Sequence, residues 1–261
     1  MLGAGDESAR ESGYCEAMDT TTLLNSASPL IGQLGAAFYF VPETMERGKE
    51  LGLGGMEFYV LGRGGTMGNC DGAVTSAAFG YFNPAFLTKV WGDAKAKCDP
   101  HAAGTAHLEC CANLGRAKLA DVAGLDALAA ALEKVNAAAD PDGLALYAAI
   151  SSEPLATDLP GRVMQLIAVL REHRGSAHLV ALRAVGLSTK LAHAGKRPDM
   201  WKTFGYPEDE LPTLSDADKR KLDEAEKITD AIVEPAYAVL TDAERTALVD
   251  GLKAVQAALA G

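Results

Sequence analysis

Apolar residues recur along nearly the whole chain at steps of three and four, the spacing that lines one face of a helix, and the alternating Val, Ile and Tyr runs of half-buried strands are missing. The pattern predicts an all-α fold, a multi-helix bundle. Helices are expected over 23–34 and 43–51, followed by a short apolar stretch over 56–61. Gly62, Gly64, Gly65 and Gly68 then read as a loop rather than an element. From Asp71 a helix bears Val74, Ala77, Ala78 and Phe82 and stops at Asn83 and Pro84, and the next one carries Phe86, Leu87, Val90 and Trp91. Asp99 and Pro100 break the chain ahead of a helical stretch over 106–113, and Ala- and Leu-rich helices over 125–139 and 144–150 follow.

The clearest element covers 160–185. Asp158 stands where an N-cap belongs, Pro160 suits the first turn, and Gly186 suits the position just past the end. Its stripe reads Val163, Ile167, Leu170, Arg174, Ala177, His178, Ala181 and Val185, so two polar side chains interrupt an apolar face. A Pro-containing, mixed-charge connector occupies 196–212. Ser215 caps a helix bearing Leu222, Ala225, Ile228 and Ile232, and after Pro235 the Thr241 to Glu244 capping box opens a last helix. The short link predicts an antiparallel pair.

Composition narrows the function classes. The 261 residues suffice for a real core, with 48% apolar and 23% charged residues, close to the globular average. A net charge of −11 repels phosphate, so nucleic acid and anionic membranes are not expected partners without a local basic patch. No apolar run approaches the length that spans a bilayer, and the polar opening residues do not read as a signal peptide. Five cysteines, an odd number, fit a reducing compartment, and a cytoplasmic location is expected.

Candidate chemistry concentrates in the Arg-Glu-His-Arg-Gly-Ser-Ala-His run from Arg171 to His178. Arg171, Arg174 and His178 share one side of the helix, and the stripe turns Arg174 and His178 inward. A buried guanidinium must be paired. Either it meets an anionic ligand, with His178 donating to that ligand or shuttling a proton, or it belongs to an internal ion pair, with Glu43 a candidate partner. Gly175 in mid-helix points to close approach of a backbone or a ligand. Cys98, His101, His107 and Cys110 have the residue types of a zinc site, yet the last two also have plain helix spacing, and no metal or other cofactor is assigned. The glycines after Leu61 fail as a nucleotide fingerprint because Met67 stands where the last glycine belongs, which leaves Arg63 as a second anion contact or a solvated loop residue. Phe38, Tyr39, Phe40, Phe58, Tyr59 and Phe79 begin an aromatic concentration in the first third, either core or the wall of an apolar pocket.

Phe40 to Glu43, Gly62 with Arg63, the Tyr81, Phe82, Asn83, Pro84 turn, and above all the stretch from Leu170 to Leu182 resemble a mostly actinobacterial helical family catalogued as helix-turn-helix or MarR-like, over roughly residues 25–259. Two departures stand out. The family usually has an acidic residue where Ser176 stands, and a winged-helix unit where the stretch from Tyr206 to Ser215 is too short for a recognition helix and wing. The resemblance implies DNA binding, but the sparse basic residues argue the other way, so the expected organisation is a tail over 1–22 without fixed structure, a ligand-binding helical domain over 23–186, and a reduced MarR-like region over 187–261 whose last two helices resemble dimerisation arms, although each stripe could equally pack inside its own chain. The expected function is binding of a small, partly apolar, anionic organic ligand, with Arg174 and Arg63 at the acid group and Arg171, Glu43, Asn83, His173 and His178 also in the site. One of the two histidines is expected to make binding pH-sensitive near pH 6 to 7. A helix-turn-helix regulator and an enzyme using His178 as general base, oriented by Glu43 or Glu172, stay open as alternatives.

Overall fold

A computed structural model describes residues 18–261; the expected N-terminal tail lies outside them up to residue 17. Among the described residues there are 12 α-helices and no strand. In chain order they are α1 (Thr20–Leu34), α2 (Pro42–Glu50), α3 (Gly55–Gly64), α4 (Gly72–Phe79), α5 (Pro84–Lys95), α6 (Pro100–Lys118), α7 (Leu125–Ala138), α8 (Ala145–Ser151), α9 (Leu159–Ala184), α10 (Thr189–Lys196), α11 (Asp216–Ala238) and α12 (Asp242–Ala260). α1 starts three residues earlier than expected because the Asp19 side chain accepts from Thr22 N at 2.7 Å and caps it.

The helix α9 is the axis. Its 26 residues span about 39 Å, and α6, α11, α7, α8 and α1 pack around it. A helix enclosed on most sides buries most of its circumference, so polar Gln165, Glu172, His173, Ser176 and His178 lie buried beside Val163, Ile167 and Leu170. Its ends follow the sequence signals: Asp158 accepts from Gly161 N at 2.9 Å, and Gly186 turns the chain at φ 66°.

The glycine-rich segment departs from expectation. Residues 55–64 are helical and continue into a short 3₁₀ turn, Gly65–Met67. Gly64 and Gly65 keep ordinary negative φ values of −90° and −66°, so conformational freedom is not their use. Their use is the absence of a side chain. A Cβ on Gly62 would come within 2.6 Å of His107 Cβ, and one on Gly65 would overlap the Pro100 carbonyl oxygen. These positions let α3 and the turn press onto α6. Likewise Asp99 and Pro100 start α6 rather than merely interrupting the chain: Asp99 accepts from Ala102 N at 2.9 Å.

The C-terminal helices also differ from the expected pair. α11 runs through Pro235 to Ala238. It lies mainly on α9, while α12 lies on α7 and α1, so each helix meets the body of the molecule rather than the other. The stripe Leu248, Val249, Leu252 and Val255 is buried in the main core of its own chain, as are Val233, Ala236 and Tyr237. The apolar faces read as dimerisation arms are therefore covered from within. No helix among the described residues is long and apolar enough to cross a membrane.

Candidate functional site

Steps of three and four bring Arg171, Arg174 and His178 to one wall of a cleft of about 290 Å³, with Gly175 between them. A Cβ on Gly175 would meet nothing closer than Glu172 Oε2 at 4.0 Å, so this glycine opens space rather than admitting a neighbouring helix. Arg63 of α3, Lys196 of α10 and Glu226 of α11 form the other polar walls, and Phe79, Phe82 and Phe204 the aromatic one. The link between α4 and α5 turns through Gly80 at φ 64° and Tyr81 at φ 25°, a conformation that costs a bulky residue energy. It sets Phe82 face to face with Phe204, with centroids 3.9 Å apart.

Glu172 organises the first ion cluster. Its side chain is only 2% exposed. Arg63 grips both oxygens, Nε donating to Oε1 at 2.9 Å and Nη2 to Oε2 at 2.7 Å. Arg171 Nη1 donates to Oε1 at 2.6 Å and to the Tyr39 hydroxyl at 3.0 Å, and that hydroxyl donates to Oε1 at 3.1 Å. Burial pushes the carboxyl up, but the Arg63 and Arg171 guanidiniums outweigh it and hold it at about 2. Two cations thus surround one anion. Arg171 Nε and Nη2 have no partner among the described residues, and Arg171 lines the cleft.

The second cluster ties α9 to α11. Arg174 donates to Asp230 at 2.7 Å and to Glu226 at 2.8 Å, and Lys196 pairs with the second oxygen of Glu226. His178 Nδ1 lies 2.7 Å from Thr229 Oγ1. Thr229 directs its own proton to the Ala225 carbonyl at 2.6 Å, so Nδ1–H donates to Thr229. The lone pair of Nε2 is left facing Lys196 Nζ at 3.4 Å. Burial, then the Lys196 and Arg174 charges, push this imidazole down to about 4.

Arg63, Arg171, Arg174 and His178 come together as the sequence reading required, while the other three residues lie elsewhere. Glu43 is exposed at the start of α2, in the wall of a different groove, so the internal partners of Arg174 are Glu226 and Asp230. Asn83 caps α5, accepting from Ala85 N at 3.0 Å. His173 packs against Tyr147, centroids 4.6 Å apart, and burial pushes it down to about 4. Neither His173 nor His178 is therefore poised to titrate between pH 6 and 7. The zinc candidates face different surroundings: His101 is exposed beside Glu153, while His107 is buried among the rings of Phe38, Tyr39 and Phe58. Among the described residues no three His, Cys, Asp or Glu side chains are grouped to hold a metal. Sequence reasoning missed Tyr39, Lys196, Glu226, Thr229 and Asp230. A carboxylate repeat at 226 and 230 opposite a threonine was the available signal.

The buried histidines predict an acid-sensitive fold. His107, pushed down to about 3 by burial and by Arg63, joins His173 and His178 in staying neutral when folded. Below their ordinary value of 6.5 the unfolded chain binds these protons and the folded chain does not, so stability present above that pH is lost as pH falls toward 4. The urea midpoint is expected to drop between about pH 7 and pH 5, above the range where most carboxylates titrate. A midpoint flat over that interval contradicts the neutral assignment.

The model of a helix-turn-helix family matches residues 25–261. No curated protein matches the chain, and no solved structure matches it.

Proposed function

The chain belongs to this helix-turn-helix family, and within it we propose that the cleft binds a small, partly apolar organic anion. The observation that carries this reading is the local charge. Arg63, Arg171, Arg174 and Lys196 outnumber the three carboxylates that pair with them, Glu172, Glu226 and Asp230, in a protein of net charge −11, and Arg171 still presents Nε and Nη2 without partners among the described residues. Such a focus of the minority sign attracts a carboxylate or phosphate and orients it against the guanidinium fork. The rings of Phe79, Phe82 and Phe204 supply an apolar side for the rest of the molecule. His178 serves as a polar contact rather than a base, because an imidazole held near 4 is too acidic for general-base work at neutral pH. The protein acts in a reducing, cytoplasmic setting on this reading.

The family match favours a second reading, a DNA-binding regulator. Against it, much of the basic cluster from α10 to the start of α11 is paired at home, Lys190 with Glu210, Arg197 with Asp199, Lys202 with Glu208 and Lys219 with Asp216, which leaves Arg220 and Lys221 without an acidic partner among the described residues. Where a MarR-like plan places a recognition helix and wing, the chain has one short turn, Glu208–Glu210.

Thermal melting with benzoate, hexanoate and phenyl phosphate, each beside its neutral amide or alcohol, tests the two readings. The anions are expected to raise the melting temperature and the neutral partners to leave it unchanged. Arg171→Met is expected to remove the shift while the protein stays folded, since Arg63 alone still holds both Glu172 oxygens. Equal shifts from anions and neutral compounds, or tight binding of a labelled DNA duplex with a steep salt slope, overturn the proposal.

A further inference from the structure

We infer that the ligand is an amphipathic carboxylate whose unbranched apolar tail leaves the cationic cleft along a groove between α4, α8 and α9. This deepens the anion reading and rests on it. The groove has a volume of about 560 Å³ and shares Ala78, Leu146, Ser176 and Leu179 with the cleft, so the two spaces adjoin across these four residues. Its character changes sharply along the way. Among the described residues the cleft is lined by four cations and two carboxylates, whereas Arg183 is the only charged residue in the groove wall.

Two further observations support a tail there. Val74 and Val180 line the groove and are 51% and 43% exposed, two of the five large apolar side chains that the described residues leave most open to water. Isolated exposed apolar residues need no explanation, but a pair lining one trough beside a charged cleft does. The trough is also smooth: Ala73, Ala77 and Ala145 contribute small side chains along α4 and α8, which suits a slender chain better than a ring. At the junction, Ser176 Oγ is buried and has no hydrogen-bond partner among the described residues, in a residue 7% exposed. A buried hydroxyl without a partner is costly, and here it lies where the acid end of the ligand gives way to the tail.

The charge pattern fixes the direction of binding. The carboxylate goes to Arg171 and Lys196, and the tail passes Ser176 and runs between Val74 and Val180. An aromatic acid of the same charge fills only the cleft.

Isothermal titration with acetate, butanoate, hexanoate, octanoate and decanoate tests this. Affinity is expected to rise about fourfold per added methylene once the tail enters the groove. Val180→Gln and Ala77→Gln change exposed positions and leave the fold intact. They are expected to flatten that rise while leaving butanoate affinity unchanged. If butanoate and octanoate bind equally well, or if both variants keep the wild-type chain-length dependence, the tail groove is wrong and the anion cleft survives. If no acid in the series binds and the aromatic acids also fail, the cleft reading itself falls and the groove with it.

Discussion

Glu172→Gln lowers the melting temperature by about 10 °C or more, the largest single effect expected outside the packed apolar core. The glutamine keeps the shape and removes the charge. Arg63, with its side chain 11% exposed, then sits beside Phe79 with no anion within reach, and Arg171 loses the same partner. Removing one member of a buried pair costs about 3–5 kcal/mol because the remaining charge stays desolvated, a large part of the roughly 5–15 kcal/mol that holds a domain folded. The amide oxygen can still accept from Tyr39, but the new NH2 replaces the oxygen that accepts from Arg63 Nη2, so donor faces donor there. Replacing all three charges together, as Arg63→Met, Arg171→Met and Glu172→Leu, is expected to recover most of the stability, because a well-packed apolar trio has no desolvated ion left in it. Circular dichroism melting of the single and triple variants checks both halves. A triple variant less stable than Glu172→Gln shows that the cluster contributes through attraction rather than mutual neutralisation.

Gly65→Ala and Gly175→Ala shift stability in opposite directions. At Gly65 the new methyl overlaps the Pro100 carbonyl oxygen and approaches Gly104 N at 3.1 Å, so backbone meets backbone and no side chain can turn away. The contact between α3 and α6 has to open, and overpacking of this kind costs about 3 kcal/mol or more. At Gly175 the methyl meets no atom closer than 4.0 Å, and the residue lies inside the longest helix. There alanine stabilises by about 0.5–1 kcal/mol through helix propensity. Urea unfolding of both variants measures the contrast. A Gly65→Ala protein as stable as the wild type means that α3 and α6 are further apart than described. Gly175→Ala carries a second readout, because its methyl protrudes into the cleft and is expected to weaken binding of benzoate even as the fold is strengthened.

The two glycines also show where the sequence was legible and where it was not. Helix α9 could be read almost to the residue because its caps are local: Asp158, Pro160 and Gly186 act within a turn of their own position. Gly62 and Gly65 misled because a glycine in a string signals turn geometry, which here only Gly68 supplies at φ 76°, while the need these two meet comes from His107 and Pro100, far along the chain. The same division runs through the site. Arg171, Arg174 and His178 were found by helical spacing alone. Their partners were not, since Glu226 and Asp230 lie 52 and 56 positions from Arg174 and Tyr39 lies 133 from Glu172. Periodicity states which face a side chain occupies but not what faces it. The stripe of α12 was ambiguous for that reason: an apolar face is written identically whether α7 or a second chain covers it.

Glu226 has a position with a mechanical consequence. One carboxylate holds Arg174 of α9 and Lys196 of α10, and lies 3.8 Å from His178 Nε2. An incoming anion seeks the same cations, so it has to displace Glu226 or settle beside it, and in the first case α11 loses a latch to α9. On the proposed reading, occupancy would become a difference in how firmly α11 is moored, and a guest with equal affinity for the latched and unlatched states would transmit nothing. Asp230 and Thr229 still hold α11 to α9 through Arg174 and His178, so losing the Glu226 contact would slacken this joint without parting it.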